Sequence, residues 1–230
     1  MLVKNWMSTN VPTVSEEDSM QAAMNLMKEH KVRMLPVLSK GKLVGVVSDT
    51  DLKRASASDA TMLDMHELLY IISKIKVQDI MTKDPVTVPE NFTVEETAEI
   101  LLQKKISGVP VVNEKGDVTG VITKDDIFGL LIDLSGLGRQ GVQFAFLIPD
   151  TPGSIKSLTD VIRSYDAKIG SILSTYQDAP AGMRIVYIRT YDIPKTEFET
   201  LTQELKKQGA LIYYVDHRNN KREIFMDLRA

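Results

Sequence analysis

The chain of 230 residues contains no cysteine, one tryptophan and three histidines. The absence of cysteine excludes disulfides, thiolate nucleophiles and cysteine metal sites. The histidines, His30, His66 and His217, lie far apart, and the sequence has neither a His-Glu-x-x-His pair nor a Gly-x-Ser-x-Gly turn. We therefore predict no catalytic residues and no metal site.

An excess of one charge sign and a long apolar run are also missing. Lys and Arg total 28 against 31 Asp and Glu, which gives a net charge of −3. This balance provides no broad basic field for nonspecific contact with nucleic acid or anionic lipid. No stretch approaches the roughly 18 apolar residues of a membrane span, and the first ten residues lack the apolar core of a signal peptide. We expect a cytoplasmic protein with no nucleic-acid or membrane partner.

What the sequence does contain is an internal repeat. Residues 6–52 align with residues 80–127 when Glu114 is treated as an insertion. The matches come in the same order in both copies: Met7 with Met81, Thr13-Val14 with Thr87-Val88, Pro36-Val37 with Pro110-Val111, Gly45-Val46 with Gly120-Val121, and Asp51 with Asp126. Ordered matches of this kind indicate a duplication.

Each copy predicts a helix, a hairpin and a second helix. In the second copy the first helix is introduced by a capping box, Thr93-x-x-Glu96. In the first copy the hairpin turns at Ser39-Lys40-Gly41, between two short β-rich runs. A unit of about 50 residues buries too little surface to be stable alone, so we expect the copies to pack face to face around a pseudo-twofold axis.

These residues carry a family resemblance. The strings KVQDIMTKDPVTV, ISGVPVV and GVITKDD resemble a cystathionine-beta-synthase (CBS) domain, and KNWMSTNVPTV, VRMLPVL and GVVSDTD resemble a second copy. The resemblance implies a regulatory CBS pair that binds an adenine nucleotide (AMP, ADP or ATP) in the clefts between the copies, and it implies no prosthetic group.

The residues themselves offer a nucleotide site where a strand ends and a helix begins. There we expect Ser48 or Thr123 to face a phosphate and Asp51 or Asp126 to face the ribose hydroxyls, near the positive end of a helix dipole. The same spacing is typical of a helix capping box, and from spacing alone capping is favoured. The resemblance shifts the balance toward ligand binding in at least one cleft. Three further candidates, Arg33, Arg54 and Lys124, are cations that could contact the phosphate. By resemblance, Pro36 and Pro110 belong to the stretch that contacts the base.

A third module follows a glycine-rich stretch at residues 136–141. That stretch matches Gly-x-Gly-x-x-Gly, but a predicted helix precedes it and a strand follows, the reverse of the dinucleotide-binding context. We interpret it as a flexible linker. The alternation beyond it predicts βαββαβ, the ferredoxin-like plan. Asp150-Thr151-Pro152-Gly153 resembles the D-x-P-G signature of ACT domains, which implies an amino-acid effector at Asp150, Pro152 and Gly153. The alternative is a plain strand-to-helix turn.

The predicted fold class is α/β (α+β), a tandem CBS pair followed by a ferredoxin-like ACT domain. The predicted boundaries are 1–55 for the first CBS domain, 56–76 for a helical connector containing His66, 77–134 for the second CBS domain, 135–141 for the linker, 142–217 for the ACT-like domain and 218–230 for a C-terminal tail. The whole order resembles the acetoin utilisation protein B family.

We therefore predict a non-enzymatic, ligand-sensing regulator. We expect it to form a homodimer and to act on an unidentified protein partner. Two alternatives stay open: an enzyme of acetoin metabolism, and an oligomerisation scaffold with no ligand.

Overall fold

The computed structural model describes residues 1–59 and 74–228. The chain forms two compact units, Met1–Phe128 and Gly129–Ala230. Most of the predicted helical connector, including His66, lies outside the described residues.

The first repeat folds in the predicted order. Its elements are β1 (Val14–Ser15), α1 (Met20–His30), β2 (Met34–Ser39), β3 (Lys42–Ser48) and α2 (Asp49–Asp59). The apolar spacing in α1 is explained by burial, because Met20, Ala23 and Met27 face the core of this repeat. The helix starts at Ser19, whose hydroxyl accepts a hydrogen bond from the Ala22 N–H at 3.2 Å.

The second repeat has the same plan. Its elements are α3 (Val77–Ile80), β4 (Thr82–Lys83), β5 (Val88–Pro89), α4 (Val94–Lys104), β6 (Gly108–Val112), β7 (Val118–Thr123) and α5 (Lys124–Ser135). The capping box predicted before α4 is confirmed. The Thr93 hydroxyl accepts from the Glu96 N–H at 3.2 Å, and the Glu96 carboxylate accepts from the Thr93 N–H at 2.7 Å.

The beginning of each repeat pairs with the sheet of the other repeat. Strand β4 opens the second repeat, yet it lies antiparallel to β3 of the first, with Thr82 opposite Val46. Ser8, near the start of the first repeat, pairs in the same way with β7 of the second. The Ser8 N–H donates to the Val121 carbonyl at 2.9 Å, and the Val121 N–H donates to the Ser8 carbonyl at 3.0 Å. The two repeats are therefore interlocked by backbone hydrogen bonds.

Two glycines make this exchange sterically feasible. A Cβ atom on Gly45 would lie 2.5 Å from the Met81 sulfur and 2.9 Å from the crossing main chain. A Cβ atom on Gly120 would lie 2.8 Å from the Met7 sulfur and 2.6 Å from the crossing main chain. Met81 of the second repeat thus packs on Gly45 of the first, and Met7 of the first repeat packs on Gly120 of the second. The methionine and the glycine that recur in both copies form the same contact twice.

We predict that Gly45→Ala and Gly120→Ala each destabilise the fold, because an added methyl group must displace backbone. Overpacking of this kind costs roughly 1–3 kcal/mol. Chemical denaturation measures the change. Gly129→Ala within α5 is the matched control, since a Cβ there meets no atom within 4 Å and alanine is the better helix former. Equal stabilities for Gly45→Ala and Gly129→Ala would contradict the role given to the exchange.

The C-terminal unit has the predicted βαββαβ order. It consists of β8 (Val142–Pro149), α6 (Ser154–Ser164), β9 (Lys168–Thr175), β10 (Met183–Tyr191), α7 (Phe198–Gln208) and β11 (Ala210–Asp216). The strands form an antiparallel sheet in the order β11-β8-β10-β9. Both helices contribute to one core cluster, with Leu158 and Ile162 from α6, Leu201 and Leu205 from α7, and Phe144 from the sheet.

A further strand, β12 (Lys221–Ile224), extends this sheet beyond β11. The sequence interpretation treated these residues as part of a tail. In the turn before this strand, Arg218 contacts two other residues. The Arg218 guanidinium lies 3.0 Å from the buried Asp216 carboxylate and donates to the Ile193 carbonyl at 2.7 Å. Hydrogen bonds from Arg218 and Asn219 hold the pKa of Asp216 below its usual value, although burial opposes them.

The glycine-rich stretch is attached to the C-terminal unit at its start. The Ser135 carbonyl accepts from Arg189 Nε at 2.6 Å and from the Ser171 hydroxyl at 3.0 Å. The Gly136 carbonyl accepts from the Tyr191 hydroxyl at 2.7 Å. Because these bonds come from β9 and β10, the interpretation of this stretch as a freely flexible linker needs correction at these positions. Burial lowers the pKa of Arg189, which faces the carbonyl end of α5.

Candidate functional site

The two predicted strand-to-helix junctions have the same local geometry. At the start of α5, the Asp126 carboxylate accepts from the Thr123 N–H at 2.7 Å and from the Thr123 hydroxyl at 2.6 Å. At the start of α2, Asp51 accepts from the Ser48 N–H at 2.9 Å and from its hydroxyl at 2.6 Å. Both hydroxyls accept in turn from the aspartate N–H at 3.3 Å. This is the capping-box alternative that the spacing left open.

The capping bonds do not use the whole carboxylate. In both aspartates the hydroxyl and the N–H bind the same oxygen, Oδ2. The other oxygen of Asp51 lies 4.0 Å from Arg54 Nη1. Within the described part of the chain, the Oδ1 atom of Asp126 has no such basic neighbour. A carboxylate can therefore cap the helix and still accept hydrogen bonds from a ligand.

A cleft of about 650 Å³ lies between the two repeats in the first unit. Of the predicted site residues, the structure brings four to it: Arg33, Thr123, Lys124 and Asp126. Arg33 comes from the first repeat and the other three come from the second, so the cleft is shared by the two copies. Its size is in the range of ordinary small-molecule sites.

The other predicted residues of the CBS pair lie elsewhere. Ser48, Asp51 and Arg54 surround the equivalent junction in the first repeat and are not among the residues that line this cleft. Pro36 and Pro110 are buried within β2 and β6, where they face Val46 and Val121 across the sheet.

Sequence reasoning missed several lining residues. Lys31, Asp49, Thr50, Ser107 and Asp125 also line the cleft. The only sequence signal for them was position: Lys31 ends α1, Ser107 directly precedes β6, and the other three lie in the first turns of α2 and α5. One contact crosses between the copies, where Arg33 Nη1 lies 3.8 Å from the Asp125 carboxylate.

The turn with the D-x-P-G signature connects β8 to α6. Gly153 is the N-cap of α6 and has φ +91°, a conformation that favours glycine. The Asp150 N–H donates to the Gly182 carbonyl at 2.9 Å, and the Asp150 carboxylate lies 3.5 Å from Arg184 Nε. Pro152 is exposed. Arg184, which sequence reasoning missed, also donates to the Ser154 hydroxyl at 3.3 Å.

The described residues contain no group of three or more His, Asp or Glu side chains placed to hold a metal ion. In the same part of the chain, no helix has both the length and the apolar character needed to cross a bilayer.

Comparison with known proteins supports the fold of the first unit. The CBS domain model matches residues 3–58 and again residues 77–133. A CBS domain-containing protein of Dictyostelium discoideum is 30% identical over 133 residues, which cover 57% of this chain and 92% of that protein. The chain therefore belongs to the family of CBS domain proteins, and its CBS domains form a tandem pair.

Two solved structures show the same fold. The CBS domain pair of protein MJ0100, in complex with 5′-methylthioadenosine and S-adenosyl-L-methionine, is 28% identical with a TM-score of 0.50, and the match covers 60% of this chain and 98% of that one. A putative acetoin utilization protein from Vibrio cholerae is 24% identical with a TM-score of 0.50, over 60% of this chain and 95% of that one. The second likeness shows the fold alone.

CBS pairs also occur inside larger proteins. The inosine-5′-monophosphate dehydrogenase of Korarchaeum cryptofilum is 40% identical over 119 residues, which are 52% of this chain but 22% of that protein. This chain thus spans about a fifth of the dehydrogenase it matches.

Proposed function

We propose that this chain is a non-enzymatic regulator that senses an adenosine-containing ligand in the cleft between its CBS domains. The observation that carries the proposal is the shared cleft of about 650 Å³, in which a hydroxyl and a carboxylate stand at the start of α5. The MJ0100 pair, which has the same fold, holds two adenosyl compounds.

The residues at the cleft suggest distinct roles. The Asp126 Oδ1 atom is placed to accept hydrogen bonds from ribose hydroxyls, since Oδ2 is used in the cap. Lys124 and Arg33 supply positive charge for an acidic group of the ligand. In this proposal Asp51, Ser48 and Arg54 act at the other junction, and Pro36 and Pro110 shape the sheets that flank the base.

We predict that Asp126→Ala weakens AMP binding by about 10- to 150-fold, because a hydrogen bond to a charged group contributes about 1.5–3 kcal/mol. Isothermal titration calorimetry on the full chain measures the affinity. Glu96→Ala is a matched control, since it removes an equivalent capping box at the start of α4 but does not line the cleft. Equal affinities for the two variants would show that Asp126 does not contact the ligand.

The two alternative functions make different predictions. A scaffold with no ligand gives no thermal shift with any nucleotide, whereas a ligand at 100 times its Kd stabilises a protein by about 2.7 kcal/mol. An enzyme of acetoin metabolism would convert its substrate, and product formation by the full chain detects that directly.

For the C-terminal unit we propose an ACT-like module, which would place the chain in the acetoin utilisation protein B family. Its turn at Asp150, Pro152 and Gly153 is then an amino-acid effector site, with Arg184 beside it. The cytoplasmic location and the unidentified protein partner stay predictions of the same proposal.

The effector role of the turn predicts that at least one free amino acid raises the melting temperature of the full chain. Arg184→Gln should abolish that shift, because it removes the cation beside the turn. Arg163→Gln, on the exposed end of α6, should leave it unchanged. If none of the twenty common amino acids shifts the melting temperature, the turn is structural.

We also expect a homodimer. The antiparallel sheet of the C-terminal unit ends at β9 on one side, and an uncovered sheet edge favours association. Light scattering at micromolar protein should give about twice the 25.7 kDa of the chain. A mass equal to that of one chain would reject the dimer.

A further inference from the structure

The charges that line the cleft cancel. Among the described residues, its basic side chains are Lys31, Arg33 and Lys124, and its acidic side chains are Asp49, Asp125 and Asp126. Sites that bind polyphosphates concentrate positive charge, so that phosphate repulsion is offset. This cleft has no such excess.

The helix start is also poorly equipped for a phosphate chain. Backbone N–H groups at a helix N-terminus bind phosphate only while they are unused. In α5 the Lys124 N–H donates to the Ser107 carbonyl at 2.9 Å, and the Asp126 N–H donates to the Thr123 hydroxyl at 3.3 Å. Of the first three N–H groups in this described helix, only that of Asp125 is left for a ligand.

Asp125 lines the cleft beside Arg33, a cation available to a phosphate. Its carboxylate lies 3.8 Å from Arg33 Nη1, and both side chains are mostly exposed, at 74% and 78%. The pair is therefore weak and open to exchange with a ligand. One acidic group on a ligand can replace Asp125 as the partner of Arg33. A longer phosphate chain adds negative charge to a cleft in which three carboxylates, Asp125 among them, already balance the three cations.

We infer that the cleft selects adenosyl ligands of low negative charge, either a nucleoside thioether such as 5′-methylthioadenosine or a nucleoside monophosphate, and that Asp125 is the residue that disfavours the triphosphate. This inference rests on the proposed function. It differs from that proposal because it assigns the ligand class from the charge balance of this chain.

Calorimetric titration of the full chain with 5′-methylthioadenosine, AMP and ATP tests the inference. The wild type should bind the first two at least about tenfold more tightly than ATP, since the added phosphates bring negative charge into a cleft with no net positive charge. Asp125→Asn should raise the ATP affinity about three- to fivefold, the scale of an exposed charge interaction. The same variant should leave the affinity for uncharged 5′-methylthioadenosine unchanged.

Glu114→Gln is the matched control. It removes the same unit charge from the exposed turn between β6 and β7, outside the cleft, and should leave the ratio of the affinities unchanged. Raising the salt concentration should reduce the difference in affinity between 5′-methylthioadenosine and ATP, because salt screens repulsion between exposed charges.

The outcomes separate this inference from the proposed function. ATP binding as tight as that of 5′-methylthioadenosine would overturn the charge selection and leave adenosyl sensing intact. If Asp125→Asn changed the affinities for ATP and 5′-methylthioadenosine by the same factor, the charge selection would also be overturned. Failure of all three ligands to bind would overturn both the inference and the proposed function.

Discussion

The interlocked backbone of the two CBS repeats is the constraint on which the first unit depends. Neither sheet is complete without a segment from the other repeat, and each crossing requires a residue with no side chain, Gly45 in one and Gly120 in the other. The crossing also builds the cleft, because Ser8 and Val121, which exchange two hydrogen bonds, both belong to its lining. The contact that joins the repeats therefore also forms part of the cleft.

The strand-to-helix junctions show how a folding element and a binding element share the same atoms. Thr123 and Asp126 satisfy each other's backbone groups before any ligand arrives. This arrangement fixes the carboxylate in one position at little entropic cost on binding, but it also consumes donors that a phosphate would need. The groups that the cap leaves unused are one oxygen of the Asp126 carboxylate and equal numbers of basic and acidic side chains. Such groups complement hydroxyl groups better than a polyphosphate.

Much of this fold was predictable from sequence because local periodicity and a duplication carry it. The helix, hairpin and helix of each repeat, the capping box at Thr93 and the βαββαβ order all follow from local patterns. The membership of the cleft followed only in part: Arg33, Thr123, Lys124 and Asp126 were predicted, whereas the contact of Asp125 with Arg33 forms only after the repeats pack. The attachment of Gly136 was missed because its partner Tyr191 is distant in sequence. Strand β12 was missed although its partner β11 directly precedes it, because residues 221–223 are all charged and give no strand-like alternation.

The exchange of segments also constrains the order in which the chain can fold during synthesis. Val3 is fully buried, and its N–H donates to the Phe92 carbonyl of the second repeat. Ser8 exchanges its two backbone hydrogen bonds with Val121 in β7. The first residues of this unit thus obtain their partners only when nearly the whole unit has been made. Native contacts of such long sequence separation slow folding. The edge of β3 also stays unpaired until β4 has been made, and unpaired strand edges in partly folded chains favour aggregation.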